Sequence, residues 1–250
     1  MRNVRLMGRQ ESIVIDGSCG EGGGQILRTS LSLASITGKP LKLVNIRGGR
    51  KRPGLRPQHL TAVRACASVC EAKLDGAELG ARKLTFVPGA IAPGSYEFHI
   101  GTAGAATLVL QTILPPLSMA KGESSRLISG GTHVPWSPPY HHVAQVLVPT
   151  INQLGFKCEP QIKHWGWYPK GGGVIQARVK PCIPLGSLDL NQPFELRSLS
   201  GISASSRLPE HIRVRQKNQV EARLEKAGIQ GEIELADVHA RNPGTLLFLC

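Results

Sequence analysis

The chain has 250 residues, 41% of them hydrophobic, enough for a sizeable core in one domain or two. Aromatic residues make up only 4%, which excludes base stacking as the main means of holding a nucleic acid. The formal net charge is +13, and residues 1–60 carry 11 Lys/Arg against three acids, so the surplus sits near the N-terminus, where it favours a polyanion over a merely solvated face.

In chain order, residues 1–12 lack the apolar segment of a secretory leader. Ile13–Asp16 reads as a strand, followed by a glycine-rich turn, Gly17-Ser-Cys-Gly-Glu-Gly-Gly-Gly24. Gly24–Ile36 has helical spacing of Leu27 and Leu31. Leu41–Ile46 is a strand, Gln58–Glu71 a second helix, and Ala77–Leu79 and Leu84–Val87 are short strands. The order β-α-β-α-β-β then returns. Tyr96–Ile100 is a strand, Ala103–Leu114 a helix, Ser125–Ile128 a strand, Tyr140–Leu154 a helix, and Gly155–Ile162 and Gly172–Val179 strands. Ile46-Arg-Gly-Gly49 matches Ile128-Ser-Gly-Gly131, and His59 matches His141, both at an offset of 82. Matched order and matched offset argue for an internal duplication. Further on, a strand is expected near Phe194–Leu199, a helix near Glu210–Lys226 and a strand near Glu232–Val238.

The glycine turn lets backbone approach a ligand, and the helix after it offers N–H groups to an anion. It is neither a dinucleotide fingerprint, since Gln25 stands where the third glycine belongs, nor a P-loop, since it has no lysine. Glu21 is the one acid in the turn, and Arg28 lies on the first helical turn. Arg47, Arg50, Lys51, Arg52 and Arg56 share one loop without an acid, and Gln58-His59 follows directly. Together these point to phosphates and a metal. The six cysteines show no paired zinc spacing and read as buried free thiols of a reducing compartment. Thr107–Ala120 is interrupted by Gln111 and Pro115-Pro116, so no membrane span is expected; the expected location is cytoplasmic. His133, His141 and His142 read as surface or loop histidines, and Trp136, Trp165 and Trp167 as packing residues.

Three segments, IDGSCGEGGGQILR, IRGGRKRPGLRPQHL and HWGWYPKGGG (His164–Gly173), closely resemble the RNA 3'-terminal phosphate cyclase family, in order from about Ile13 to Val179. The resemblance implies an α/β fold of repeated β-α-β-α-β-β units with a small inserted domain. Residues 1–185 would hold two complete units and residues 186–250 part of the insert, with the third unit absent. The implied activity is that of a ligase: ATP-dependent conversion of an RNA 3'-phosphate to a 2',3'-cyclic phosphodiester through enzyme-AMP and RNA-adenylate intermediates. The implied ATP and phosphate contacts are Gln111, Glu21, Arg28, Arg47, Arg50, Gln58 and His59. Glu21 is also the implied ligand of a divalent metal, Mg or Mn, and the partners are ATP and an RNA 3' end.

The family's nucleophilic histidine falls beyond Cys250, so no catalytic residue is assigned, and the chain is expected to be truncated, and inactive unless a separate chain supplies the third unit. A non-catalytic RNA-binding or ribosome-assembly protein of the same family is the alternative. An enolpyruvyl transferase, whose repeats resemble these, is a weaker one.

Overall fold

The structure of the protein is a computed structural model that describes residues 11–182, 184–191, 196 and 198–250. Most of the stretch read as having no leader lies outside these residues, as do Phe194, Glu195 and Arg197 of the strand expected near Phe194–Leu199.

Two four-stranded sheets share one topology. In the first, β1 (Ile13–Asp16) runs parallel to β2 (Leu41–Val44), and β2 is antiparallel to a strand that in turn pairs antiparallel with its own predecessor. These last two are β3 (Lys73–Asp75) and β4 (Leu84–Val87), giving the order β1-β2-β4-β3. The second sheet is built from β5 (Ser95–His99), β6 (Ser124–Gly130), β7 (Lys157–His164) and β8 (Gly173–Lys180). Its order is β5-β6-β8-β7, with the same succession of parallel and antiparallel pairs. A parallel pair needs a crossover. Helix α1 (Gly24–Thr37) supplies it in the first unit and α3 (Ala106–Ser118) in the second. The duplication read from the sequence is therefore a repeat of topology.

Periodicity explains which faces are buried. In α1, Leu27, Leu31 and Ala34 recur a turn apart and are buried. In β2, Leu41 and Leu43 point inward while Lys42 is exposed, and β8 alternates buried Ile175, Ala177 and Val179 with exposed Arg178. Helix α2 (Pro57–Val69) packs against both α1 and α3, so the two units share a single core.

Three expectations need correction. Ala77–Leu79 is not a strand; the third strand of the first unit is Lys73–Asp75. Residues 78–82 instead form a turn behind the basic loop, where Gly80 N donates to Leu55 O (2.8 Å) and Leu55 N to Ala81 O (3.0 Å). Helix α3 begins three residues later than its spacing predicts, because Gly104 and Ala106 bond to Gly131 of the second unit (2.7 and 2.9 Å). It also runs through Pro115-Pro116 to Ser118. Pro116 has no N–H, which leaves the Thr112 carbonyl free of its helical partner. Ser32 Oγ of α1 donates to that carbonyl, and Cys66 Sγ of α2 approaches it at 3.8 Å. The residue pair that would usually break a helix here ties three helices together. The helix expected over Tyr140–Leu154 is interrupted: α4 (Tyr140–His142) passes through a π turn (Val143–Leu147) into α5 (Val148–Asn152). Val148 N reaches back to Val143 O, just before Pro149, which has no N–H to continue the ladder.

Residues 198–250 form a third sheet, with β9 (Ser198–Ser206) parallel to β10 (Gln230–Asp237) across α6 (Glu210–Lys226), and β11 (Gly244–Leu249) antiparallel to β9. It docks on the second unit. Trp167 Nε1 donates to Ser206 Oγ (2.8 Å), Asn242 Nδ2 donates to the Tyr168 carbonyl (2.9 Å), and Phe248 lies against His141. Here His133 and His141 are buried, not surface or loop residues as their isolated positions imply. Their rings sit at 2.9 Å between Nε2 and Nδ1, and Trp165 stacks on His133 with centroids 4.2 Å apart. Burial, then the neighbouring His141, pushes His133 down to about 3. The cysteines at 66, 70, 158 and 182 are buried free thiols, while Cys19 and Cys250 are exposed.

Candidate functional site

The site begins with the glycine turn. Gly22 has φ +58°, a conformation that costs glycine little. A Cβ there would stand 2.6 Å from Gly49 N, and Gly49 N donates to Gly22 O at 3.2 Å. This close approach brings the basic loop onto the turn. Arg47, also at positive φ (+54°), holds that loop by donating from one guanidinium nitrogen to the carbonyls of Arg52 (2.8 Å) and Gly54 (2.9 Å). Arg50 then pairs with Glu21. Both partners are substantially exposed, so the pair contributes little and yields readily to a ligand.

These residues meet in a pocket of about 610 Å³ lined by Glu21, Gly24, Gln25, Arg28, Arg47, Arg50, Gln58, His59, Leu108 and Trp136. Six of the seven residues expected to contact ATP and phosphate line it. The seventh, Gln111, lines a neighbouring cleft of about 230 Å³ with Leu33, Ile36 and Pro115, which shares Gln25 and Arg28 with the main pocket. Leu108 was not anticipated, and Trp136, expected to be a packing residue, is instead exposed at the pocket. Leu108 reaches the pocket only through the fold; the prolines on both sides of Trp136 were the one local sign that it sits in a loop rather than in the core.

Three helix N-termini converge here: α1 through Gly24, α2 through Gln58 and His59, α3 through Leu108. None is closed by a side-chain cap, so their dipoles add positive potential to that of three arginines facing one carboxylate. Gln58 does a second task. Its Oε1 accepts from Ala105 N at 2.9 Å, joining the start of α2 to the start of α3 across the two units.

His59 is buried at the pocket floor. A Cβ on Gly24 would stand 2.5 Å from its Nε2 and 2.8 Å from a terminal nitrogen of Arg28. Burial, followed by Arg47, Arg28 and Arg56, pushes His59 down to about 3, so the ring is neutral at physiological pH. Burial also lowers Arg28 below the usual guanidinium range. Among the described residues, His59 Nδ1 and Arg28 Nε are buried without a hydrogen-bond partner. The pocket's cations and uncapped helix N-termini make it a place for an anion. Lys51, Arg52 and Arg56 are exposed on the outside of the loop. Glu21 is the single carboxylate lining the pocket, and no cluster of three or more His, Cys, Asp or Glu occurs among the described residues. No helix of the described residues is long and apolar enough to cross a membrane.

Comparison with known proteins gives this arrangement its relatives. Residues 19–239 match the sequence model of the RNA 3'-terminal phosphate cyclase family. The RNA 3'-terminal phosphate cyclase of Trichormus variabilis is 45% identical over 244 residues, covering 95% of this chain and 70% of that protein. That of Pyrococcus furiosus is 44% identical over 233 residues, covering 93% of this chain and 68% of that protein. A solved structure, the enolpyruvyl transferase NikO from Streptomyces tendae, aligns over 90% of this chain and 44% of its own at 12% identity and a TM-score of 0.33, too slight a likeness to bear on fold or function. The match over residues 19–239 and the identity to these relatives show that the chain belongs to the RNA 3'-terminal phosphate cyclase family.

Proposed function

We propose that the pocket binds the phosphates of ATP and the 3'-phosphate of an RNA, within an ATP-dependent conversion of that phosphate to a 2',3'-cyclic phosphodiester. The observation that carries this reading is the meeting of three uncapped helix N-termini with Arg28, Arg47 and Arg50 around one pocket. The chemistry asks for such a surface. AMP is transferred from ATP to the enzyme with release of pyrophosphate, then to the RNA 3'-phosphate, and the neighbouring 2'-hydroxyl displaces it to close the ring. Each step gathers charge on phosphate oxygens, and fixed donors in a partly enclosed pocket stabilise it.

The arginines have distinct roles in this reading. Arg28, half-buried at the start of α1, turns its open Nε to a phosphate oxygen. Arg47 keeps the loop in place while adding charge. Arg50 exchanges Glu21 for a phosphate and frees the carboxylate. Glu21 then fits a divalent ion, since magnesium is commonly held by one or two carboxylates together with substrate phosphates; the ion, when bound, would offset phosphate charge. His59, kept neutral, offers a hydrogen bond without adding a fourth cation.

His59, His133 and His141 are not assigned as acceptor of AMP. His59 Nε2 is pressed against Gly24, leaving no room for a phosphoryl group. His133 and His141 are engaged with one another in the aromatic cluster. This chain then supplies the phosphate-binding side of the reaction. Incubation with α-labelled ATP and Mg²⁺ or Mn²⁺ tests both parts. The expected result is saturable ATP binding, reduced in Arg50→Ala and Arg28→Ala, with no acid-labile, base-stable label on His59, His133 or His141. Label mapped to His59, His133 or His141 would overturn that assignment. RNA binding with no ATP binding would favour a non-catalytic RNA-binding role instead.

A further inference from the structure

Trp136 is fully exposed, at 100% of its accessible surface, and its backbone has φ +64°. Either feature alone is uncommon for a bulky side chain, and the two together carry a free-energy cost that core packing does not offset. The other two tryptophans lie in the buried cluster with His133 and His141. The loop around Trp136 is fixed on both sides. Ser137 Oγ donates to Val134 O (3.0 Å), Thr107 Oγ1 to Pro138 O (2.9 Å), and Tyr140 N to Thr132 O (2.9 Å), with Pro135, Pro138 and Pro139 limiting its freedom. A rigid loop thus presents an indole at the edge of the phosphate pocket, beside Arg28 and Arg50.

An exposed, pre-positioned aromatic face next to a phosphate site suits a planar base carried on that phosphate. Resting on the cyclase reading, we propose that Trp136 is the platform on which the terminal base of the RNA stacks while its 3'-phosphate occupies the pocket. The cleft of Gln111, Leu33, Ile36 and Pro115, which shares Arg28 with the pocket, offers the base of ATP a separate place. Trp136, open to solvent, meets the ligand that continues into solvent. Stacking through one residue adds to binding by charge and does not replace it, in keeping with the scarcity of aromatics.

Binding of four probes to wild type, Trp136→Ala and Trp136→Phe tests the assignment. They are a 3'-phosphorylated RNA oligonucleotide, the same strand with an abasic terminal residue, ATP, and inorganic tripolyphosphate. Trp136→Ala is expected to bind the intact RNA roughly tenfold more weakly, and Trp136→Phe to recover most of that loss. The abasic strand, ATP and tripolyphosphate should bind wild type and Trp136→Ala alike. Quenching of the exposed indole's fluorescence by the intact strand, and not by the abasic one, would support the same conclusion. Equal affinity of Trp136→Ala and wild type for the intact RNA overturns the proposal, and so does an equal loss of ATP affinity, which would put the base of ATP on the indole. A wild type that fails to bind tripolyphosphate at all would take down the phosphate-site reading beneath it.

Discussion

Gly24→Ala isolates the packing at the pocket floor. The new Cβ would stand 2.5 Å from His59 Nε2, and ordinary contacts begin at 3.4 Å, so the ring must retreat by 0.9 Å. It has little room, being buried, and Arg28 is pressed at 2.8 Å from the same point. Alanine favours the helix over glycine by up to about 1 kcal/mol, while overpacking costs about 1–3 kcal/mol. Net stability should therefore fall by no more than about 3 kcal/mol. Binding should suffer more. Losing alignment of one charge-assisted hydrogen bond to phosphate costs about 1.5–3 kcal/mol, or roughly 10- to 150-fold in affinity. The assay is ATP binding by calorimetry beside urea unfolding followed by circular dichroism. Gly38→Asn serves as control, because Gly38 closes α1 in the left-handed region with open space around its Cβ, a position asparagine tolerates. ATP affinity in Gly24→Ala within twofold of wild type, with the fold intact, would refute the placing of phosphates against Arg28 and His59.

Stability should fall in mild acid. His59 and His133 are neutral in the fold down to about pH 3, whereas in the unfolded chain they take up protons near the ordinary imidazole value. The unfolded state therefore binds more protons between those limits. Stability is fullest above pH 6.5 and declines toward pH 3, by roughly 1.4 kcal/mol per pH unit for each imidazole. A urea midpoint that stays flat from pH 7 to 4.5 would contradict the burial of both rings. Ser32→Ala removes the donor to the Thr112 carbonyl and should destabilise by about 1–3 kcal/mol, read as a lower urea midpoint, because the carbonyl has no helical partner to return to. Trp167→Phe keeps most of the ring but loses the bond to Ser206. It should cost about 1 kcal/mol and raise amide exchange in β9 and β11 before it does so in β2.

Much of the fold was legible because short-range pattern carried it. Leu41, Leu43 and Ile46 spaced around Lys42 marked a half-buried strand, and the repeat of Ile-x-Gly-Gly at or just past the ends of two strands exposed the duplication. What failed depended on distant partners. Lys73–Asp75 has too few residues to display an alternation, and it is a strand because Phe86 and Val87 pair with it. Ala77-Glu-Leu79 alternates like a strand, but Leu79 is exposed and the segment leads into the turn that bonds to Leu55 through Gly80 and Ala81. His133, Trp165 and Phe248 are far apart in the chain, so nothing local announced that they would pack together. Helix continuation through Pro115-Pro116 required knowing that Ser32 would take the freed carbonyl.

The site divides along the same line. The residues themselves were visible, but not the division of labour among them. Arg47 spends one nitrogen holding its own loop, Gln58 spends its oxygen on Ala105, and Arg28 and His59 alone present buried atoms with nothing to bind. A list of cations would rank these arginines equally. Burial ranks them differently: an exposed arginine retains its water, whereas Arg28 has already lost water at Nε and gained no partner in exchange. The ligand that restores that bond recovers a cost already incurred in folding. On this argument Arg28, rather than the more exposed Arg50, should dominate affinity, and its replacement should weaken phosphate binding more than that of any residue on the basic loop.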